Sequence, residues 1–462
     1  MNRHAFEHRH ESPTYFDSST TGIGYPAIPS CRTEVSERSI RVKTFDSTHT
    51  GWDDGVLFPG MSSSATLSNL DALRGAGGSA MRLRIGYWRT GLFLVVVPLF
   101  VGIGSAANKT PTGKTQEKPR AVATKPAPVL KPGNPTAHGL RATDLEALRA
   151  ILQNAVDDKT VPGIALLLAH KGEVVFKEAF GDLKVDRPAR LASDSKPISA
   201  TVVMVVVDQG KMRLDDPVTK FIPEFKATKV EKATVRQLLC HGAGIGDEFS
   251  GGWPRANTLA EFAAAVATQG RLQAPGQYRY STVGIDLACR CAEKAAAKPF
   301  EALLREHLCE PLGLKNTRFA RGGEAKAVPK EARERGEGRY VSGGSGLSAS
   351  LEDMAAFYQM HLNGGRYGDK QILSRKMVTE MHRNQVAVSR GASYGLGFGL
   401  FGPTRDGVSR IFQHGGALGT YCWADENRHL VAIFFSQAGL QKAGPVLKAV
   451  QKKVYEVVPP QR

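Results

Sequence analysis

The hydrophobic pattern first becomes regular near Leu140, where it predicts a helix. Leucines at positions 145, 148 and 152 are followed by Val156, which is the spacing of one helix face. Thr143 followed by Glu146 has the form of a capping box at the start of such a helix. Pro162 and Gly163 then predict its end.

Apolar runs of strand length lie at both ends of the region that begins there. Residues 164–169 and 173–179 flank Lys171-Gly172, a pair typical of a tight hairpin turn. Near the other end, residues 410–413, 419–424 and 429–436 also have the composition of strands. These five segments predict an antiparallel sheet built from N-terminal and C-terminal strands.

The stretch between these strands is mostly helical in pattern. Residues 234–240 and 258–268 predict two helices joined by a glycine-rich loop at 242–252. A turn is expected at 276–281, and a helix-rich stretch follows it. Residues 201–207 are ambiguous, because five of them are valine, which favours a strand, while a short apolar run also fits a buried helix.

Two further helices complete the predicted elements. Ser350 with Asp353 fits the N-cap of a helix that ends near residues 363–365. A last helix is expected to begin at Pro445 and run to about Val457. The expected fold class is α/β of the α+β kind, with an antiparallel sheet flanked by helices and an inserted, mostly helical region.

The part of the chain before this region has a different character. Residues 1–80 show little periodicity and are rich in Ser, Thr, Gly and His, which predicts disorder. Residues 81–107 have the parts of a secretory signal peptide: a basic start at Met81, an apolar run and a small-residue end. The apolar run is short for a membrane span, and Pro98 interrupts it. We therefore expect a periplasmic or secreted protein, with a membrane anchor as the alternative.

A signal peptide acts at an N-terminus, so its position predicts that translation begins at Met81 and that residues 1–80 are a mis-assigned extension. A genuine extension ahead of a signal anchor is the alternative. Residues 108–139 combine frequent proline with Lys and Thr, a composition typical of an extended linker. Residues 140–462 are then the folded, catalytic domain.

Charge and cysteine content narrow the expected partners. The formal net charge is +17, but no run of Lys and Arg is interleaved with aromatic residues, so no nucleic-acid partner is expected. Attraction to an anionic cell wall or membrane surface is the preferred interpretation, and solubility alone is the alternative. The six cysteines lack zinc-ligand spacing, so we expect no metal and no cofactor. The oligomeric state is not predicted.

Ser193 and Lys196 are the first candidates for chemistry. If a helix opens here, the two side chains lie one turn apart on one face. Free N–H groups at the helix start favour a developing negative charge, and the lysine can act as base for a serine nucleophile. A solvated turn is the alternative, since about one or two S-x-x-K matches are expected by chance in a chain of this length.

Further segments, in a fixed order, make residues 140–462 resemble the serine β-lactamase-related hydrolases. That family includes class C β-lactamases, D-alanyl-D-alanine carboxypeptidases, D-aminopeptidases and carboxylesterases. Residues 193–196 resemble its S-x-x-K motif, and residues 234–241 resemble its T-I-R-x-L-L-x-H segment. Tyr280-Ser281-Thr282 resembles its second motif, and His414-Gly415-Gly416 its third. The resemblance implies a β-lactamase/transpeptidase-like fold and favours a helix after Ser193.

The resemblance also implies an acyl-enzyme mechanism on a small-molecule or peptide-like substrate. Ser193 would attack a carbonyl, Lys196 would take its proton, and Tyr280 would relay a proton to the leaving group. His414 is the fourth expected catalytic residue. The backbone N–H groups of Ser193 and Ala417 would bind the oxyanion. Residues expected to line the substrate are Gly415, Gly416 and Thr282.

Two departures from the family pattern bear on the substrate. The second motif is usually Y-x-N, but Thr282 stands in the place of the asparagine and offers no amide donors. The third motif of most lactamases begins with lysine, but here it begins with His414, a weaker anchor for a carboxylate. Both changes favour an esterase or small amide hydrolase. A non-catalytic penicillin-binding or sensor module with little turnover is the alternative.

Four other residues near the motifs carry open interpretations. His241, beside the glycine-rich loop, is expected to have a structural role rather than to line the cleft. Ser345 lies in a glycine-rich segment that resembles a family loop bordering the site, where backbone alone can suffice. Trp253 and Tyr421 either line the acyl pocket or pack in the core.

Overall fold

The computed structural model describes residues 126–319, 340–389 and 391–460. The predicted extension at 1–80, the predicted signal peptide at 81–107 and most of the predicted linker lie outside the described residues. Within the described ranges, no helix combines the length and the hydrophobicity needed to cross a membrane.

The strands and helices of the described residues are as follows. The strands are β1 (Lys131–Pro132), β2 (Gly163–His170), β3 (Glu173–Gly181), β4 (Ala189–Arg190), β5 (Ile245–Phe249), β6 (Gly270–Leu272), β7 (Arg318–Phe319), β8 (Leu347–Ala349), β9 (Arg366–Tyr367), β10 (Lys370–Gln371), β11 (Val386–Ser389), β12 (Ala392–Tyr394), β13 (Gly399–Pro403), β14 (Ser409–Gly416), β15 (Thr420–Asp425) and β16 (Leu430–Phe435). The helices are α1 (Ala142–Asp157), α2 (Ser195–Asp208), α3 (Val235–Leu239), α4 (Leu259–Gln269), α5 (Thr282–Ala296), α6 (Phe300–Leu304), α7 (Glu310–Leu312), α8 (Leu351–Leu362), α9 (Arg375–Met381) and α10 (Leu440–Val457).

The central sheet has nine strands in the described part of the chain, in the order β1-β3-β2-β16-β15-β14-β13-β12-β11. Every neighbouring pair is antiparallel except β1 and β3. N-terminal strands therefore pair directly with C-terminal strands, and α2 to α7 lie between them in sequence. The predicted α+β class and the inserted helical region are confirmed.

The predicted hairpin between β2 and β3 is also confirmed. Lys171 has a φ of 55° and Gly172 a φ of 82°, so both turn residues are left-handed. A two-residue turn of this kind matches the twist of antiparallel strands, and glycine adopts it without strain.

Two apolar clusters lie on opposite faces of the sheet, because side chains alternate along each strand. In β15, Cys422 faces the larger cluster, which contains α2, α5 and α8. Trp423, the next residue, faces a smaller cluster formed with α1 and α10. In β16, Ile433 faces the larger cluster and Phe434 faces the smaller one.

Residues 201–207 belong to α2 and are helical, as the family resemblance predicted and their β propensity did not. The α2 side chains from Ser195 to Val206 are all buried. A mostly apolar helix is stable when other elements enclose it completely. The burial of the valine side chains in the core therefore outweighs the preference of valine for strands.

Three local predictions are wrong. The capping box is not Thr143 with Glu146: the N-cap of α1 is Arg141, two residues earlier, and the Arg141 N–H donates to Asp144 at 3.2 Å. The segment 242–252 is not wholly a loop, because β5 pairs with β6. The last helix begins at Leu440 rather than at Pro445, which lies inside it.

The end of the predicted linker lies on the folded domain. Residues of β1 pair with β3, and the backbone N–H of Leu130 donates to the hydroxyl of Tyr367 at 3.1 Å. Ala127 bridges to Gly368 through a backbone hydrogen bond. The chain is therefore in contact with the domain from residue 127 onward.

Candidate active site

Ser193 lies in a short 3-10 turn, Ala192–Asp194, that leads directly into α2. Lys196 follows in the first turn of α2, and its Nζ is 3.0 Å from Ser193 Oγ. Ser193 is partly exposed, whereas Lys196 is fully buried. The predicted arrangement of a reachable hydroxyl beside a buried amine is therefore present.

Three groups from other elements surround the Lys196 amine. Nζ donates to the carbonyl oxygen of Gly344 at 2.9 Å and to Thr282 Oγ1 at 3.3 Å. It also lies 4.7 Å from the centre of the Tyr280 ring. Residues distant in sequence thus converge on one amine, and its long side chain is held in a single direction.

The loop that supplies the Gly344 carbonyl is held by Asp286 of α5. Asp286 accepts hydrogen bonds from Ser342 Oγ at 3.1 Å and from the Gly344 N–H at 2.8 Å. Burial raises the pKa of Asp286 to about 7, against the opposing effect of these hydrogen bonds. A Cβ on Gly344 would lie 2.6 Å from Thr282 Cγ2, so only glycine lets this carbonyl approach Lys196. The hydroxyl of Ser345 lies 3.1 Å from Ser342 Oγ.

The second motif lies at the start of α5. Ser281 caps this helix by accepting from the Gly284 N–H at 2.8 Å. Asp247 of β5 accepts from the backbone N–H groups of Thr282 and Val283, each at 3.0 Å. An acidic side chain at a helix N-terminus is favourable, so this contact fixes where Tyr280 and Thr282 stand.

Tyr280 projects from this turn toward the nucleophile. Burial raises the pKa of Tyr280 well above the ordinary value, and the neighbouring Ser193 opposes this rise only in part. The phenol therefore keeps its proton near neutral pH, as a donor to a leaving group must.

His414 of β14 is neutral and fully engaged in hydrogen bonds. Its Nδ1 is 2.8 Å from the Gly415 carbonyl, which can only accept, so Nδ1 carries the proton. Its Nε2 then accepts from the Tyr394 hydroxyl at 2.9 Å. Burial, followed by the charge of Lys196, lowers the pKa of His414 to about 3. The third motif thus presents no imidazolium to a substrate carboxylate.

The end of β14 packs against the turn that carries Ser193. A Cβ on Gly416 would collide with the carbonyl oxygen of Leu191, and Thr420 Oγ1 donates to the same oxygen at 2.9 Å. On Gly415 a Cβ would lie 3.1 Å from the ring of Tyr421. Ala417 follows at the exposed start of the turn into β15. The predicted oxyanion-binding segment and the nucleophile are therefore adjacent.

Several buried groups at the site were missed by reasoning from the sequence. Asp194, inside the S-x-x-K segment, is fully buried, and its Oδ2 accepts from the Cys422 thiol at 3.6 Å. Asp247 was missed because its strand was taken for a loop. Tyr394 and Asp286 belong to no motif that was identified.

The two aromatic candidates for the acyl pocket pack elsewhere. Trp253 stacks on Phe262 with ring centres 5.7 Å apart. Tyr421 belongs to the cluster formed with α1 and α10, on the sheet face opposite to Cys422. Both residues take the packing role that the sequence left open.

Comparison with known proteins agrees with this geometry. The sequence model of the family named Beta-lactamase matches residues 148–453, well over half of the chain. The chain belongs to this family of serine hydrolases and has a β-lactamase/penicillin-binding-protein-like fold.

Named relatives cover several activities. Esterase EstB from Burkholderia gladioli is 25% identical over 392 residues, which span 70% of this chain and 98% of the relative. A Salmonella typhi protein named as a candidate D-alanyl-D-alanine carboxypeptidase is 25% identical over 374 residues, spanning 66% and 85%. The solved structure of EstCE1, a hydrolase with promiscuous acyltransferase activity, aligns with a TM-score of 0.59 at 21% identity. That alignment covers 68% of this chain and 99% of EstCE1 and supports the fold.

Proposed function

We propose that this β-lactamase-family hydrolase cleaves esters, and secondarily small amides, through an acyl-enzyme on Ser193. The observation that carries the proposal is the 3.0 Å contact between Lys196 Nζ and Ser193 Oγ, with the amine fully buried. A buried amine resists protonation, and only a neutral amine can remove the serine proton.

The reaction proceeds in two halves. Lys196 takes the Ser193 proton as Oγ bonds to the ester carbonyl carbon, and the carbonyl oxygen becomes an oxyanion facing the N–H groups of Ser193 and Ala417. The tetrahedral intermediate collapses as the alkoxy oxygen leaves with a proton passed through Tyr280. Water then attacks the acyl-enzyme in the same way, and the carboxylic acid and free Ser193 are released.

The preference for an uncharged ester rests on the second and third motifs. Both ring nitrogens of His414 are engaged, and the ring is neutral above about pH 3, so it adds no positive charge where a substrate carboxylate would bind. Thr282 brings a hydroxyl, already 3.3 Å from Lys196, in place of a two-donor amide. Sites lacking such donors bind peptide-like substrates less selectively.

The test is a substrate panel run on the wild type and Ser193→Ala. We expect turnover of p-nitrophenyl esters, slower turnover of D-amino-acid amides and little turnover of a chromogenic cephalosporin, all lost in Ser193→Ala. Ester turnover that survives in Ser193→Ala would overturn the proposal. Efficient turnover of the cephalosporin with none of the esters would overturn the substrate preference.

Thr282 favours one alternative, in which the protein forms an acyl-enzyme but does not release it. A fluorescent penicillin distinguishes the two functions. Rapid labelling of Ser193 that persists for hours, without ester turnover, is the expected behaviour of a penicillin-binding or sensor module. Labelling that decays during ester turnover is expected of the hydrolase.

We also propose that the enzyme acts outside the cytoplasm, at an anionic wall or membrane surface. The signal-like segment at 81–107 and the basic net charge of +17 support this location. Cell fractionation with N-terminal sequencing of the natural protein tests it: a mature start near residue 108 in the exported fraction is expected. A cytoplasmic protein that retains residues 1–80 would contradict it.

A further inference from the structure

His241 holds the chain on both sides of Tyr280. Its carbonyl oxygen accepts from the Arg279 N–H at 2.8 Å, and its Nδ1 accepts from the Ser281 N–H at 3.2 Å. Arg279 and Ser281 are the two sequence neighbours of Tyr280. One residue thus fixes the backbone before and after the tyrosine, and it does so from the turn that follows α3, a separate part of the chain.

The imidazole also packs directly on the tyrosine ring. The ring centres of His241 and Tyr280 are 4.6 Å apart, and those of His241 and Tyr394 are 4.5 Å apart. Tyr394 in turn donates to His414 of the third motif. The histidine therefore lies between two phenols that both belong to the site.

The state of the imidazole follows from its contacts. Because Nδ1 accepts a backbone hydrogen bond, the proton of the neutral ring lies on Nε2. Burial is the main cause that lowers the pKa of His241 well below the ordinary value. The ring therefore stays neutral and adds no cation beside Lys196.

His241 is an unfavourable choice for a residue whose role is packing alone. It is 2% exposed, yet its Nε2 has no hydrogen-bond partner among the described residues. A buried polar atom left unpaired lowers stability. The backbone φ of His241 is 63°, a left-handed conformation that is strained for residues other than glycine. Costs of this kind are found where they support a functional geometry.

We propose that His241 is the positioning residue of Tyr280: through Arg279, Ser281 and direct ring contact, it keeps the phenol at Ser193 for proton transfer to the leaving group. The inference rests on the proposed function, in which Tyr280 passes that proton. It assigns no contact with substrate to His241.

The test uses two esters of one acid that differ only in the leaving group. A p-nitrophenolate leaves without needing a proton, whereas a simple alkoxide leaves only when protonated. Loss of Tyr280 positioning must therefore slow the alkyl ester more than the p-nitrophenyl ester. A general loss of folded protein slows both equally.

Three variants are compared with the wild type, each corrected for the folded fraction by titration of Ser193 with a fluorophosphonate. His241→Gly removes the side chain and accepts the left-handed backbone. His241→Asn tolerates the same backbone and retains an acceptor for the Ser281 N–H. His382→Ala is the matched control, because His382 is similarly buried but stacks on Phe412, away from the site.

We expect His241→Gly to lower kcat/KM, which reports formation of the acyl-enzyme, by about 10²-fold for the alkyl ester, with a loss at least about 10-fold smaller for the p-nitrophenyl ester. His241→Asn should recover most of the loss, and His382→Ala should leave kcat/KM unchanged for both esters. Equal losses on the two esters in His241→Gly, or no loss on either, would overturn the inference. If His241→Gly does not fold, His241→Asn carries the comparison, and its remaining loss must be larger for the alkyl ester than for the p-nitrophenyl ester.

Tyr280→Phe separates this inference from the proposed function. If Tyr280→Phe shows the leaving-group dependence and folded His241→Gly does not, only the positioning role is wrong. If Tyr280→Phe shows no such dependence, the proposed proton transfer through Tyr280 is wrong as well.

Discussion

Each face of the central sheet buries an aspartate, and the pKa values of the two carboxyl groups are shifted in opposite directions. Asp144 of α1 lies in ion pairs with Arg141 at 2.8 Å and with Lys453 at 3.2 Å. Its hydrogen bond to Arg141 is the main reason that the pKa of Asp144 is well below its usual range. Asp194 lies beside Lys196 on the other face, where burial raises its pKa well above the usual range.

The surroundings of the two residues explain the difference. Around Asp144 the sheet packs on α1 and α10 through apolar side chains such as Leu148, Trp423 and Val450. Around Asp194 the same sheet packs on α2 and α8, and Lys196 of α2 lies beside the carboxyl group. The first aspartate lies in ion pairs on one face, whereas the second is buried on the face that carries the candidate active site.

The largest expected difference between the faces is in rate. Lys196→Met keeps the length and apolar stem of the side chain but removes the base, so kcat/KM for an ester should fall by at least about 10²–10⁴-fold. Its Tm should change little, because methionine keeps the apolar stem in place and removes an amine that is costly to bury. Steady-state kinetics and thermal unfolding measure both quantities. A large loss of Tm with kcat/KM retained would mean that Lys196 supports the fold rather than the reaction.

The matching change on the other face should affect stability instead. Trp423 is fully buried in the α1 and α10 cluster, and Trp423→Ala should lower the free energy of unfolding by about 3–5 kcal/mol. The kcat per folded molecule should stay near that of the wild type, because this cluster lies on the sheet face opposite to α2, the helix that carries Lys196. Urea unfolding and fluorophosphonate-titrated kinetics provide the two measurements, with Trp423→Phe as the conservative control.

The smallest effect, and the most specific, is the pH dependence of stability. The pKa of Asp194 in the folded state is above its unfolded value of about 3.8, so its contribution to stability is complete below that pH and is lost as pH rises. Asp194→Asn should therefore become more stable relative to the wild type as pH rises from 4 to 9. Asp144 has the opposite sign, because its pKa is lowered: its contribution is present above about pH 4 and is lost as pH falls.

Asp144→Asn is thus the control for Asp194→Asn. It should be less stable than the wild type at pH 7, and the difference should shrink below about pH 4. Urea midpoints between pH 3 and 9 follow both variants. Parallel pH profiles for the two variants would mean that the aspartates do not differ as described.

The same contrast shows what a sequence reveals and what it hides. Short motifs in a fixed order identify four candidate site residues without any knowledge of the fold. These residues are Ser193, Lys196, Tyr280 and His414. The strands of the sheet were found where alternation or apolar runs were strong, as in β2, β15 and β16. The fold class followed from those strands lying at both ends of the domain.

The errors came from contacts between residues far apart in sequence. Asp247 lies in a glycine-rich segment that the sequence predicted to be a loop. The segment forms β5 only because it pairs with β6, which lies further along the chain. Tyr394 lies in a three-residue strand, and only its hydrogen bond to His414 assigns it to the site. At the start of α1 the capping contact is made by Asp144 rather than by Glu146, and Asp144 also accepts from Lys453 of α10, which is distant in sequence.

Labelling of Ser193 tests the central claim most directly. The wild type is treated with a fluorophosphonate, in which Ser193 Oγ would displace fluoride from phosphorus, and the protein is digested and analysed by mass spectrometry. We predict a single adduct on Ser193, absent from Ser193→Ala and strongly slowed in Lys196→Met. An adduct on another serine, or ester hydrolysis that continues after Ser193 is removed, would contradict the account.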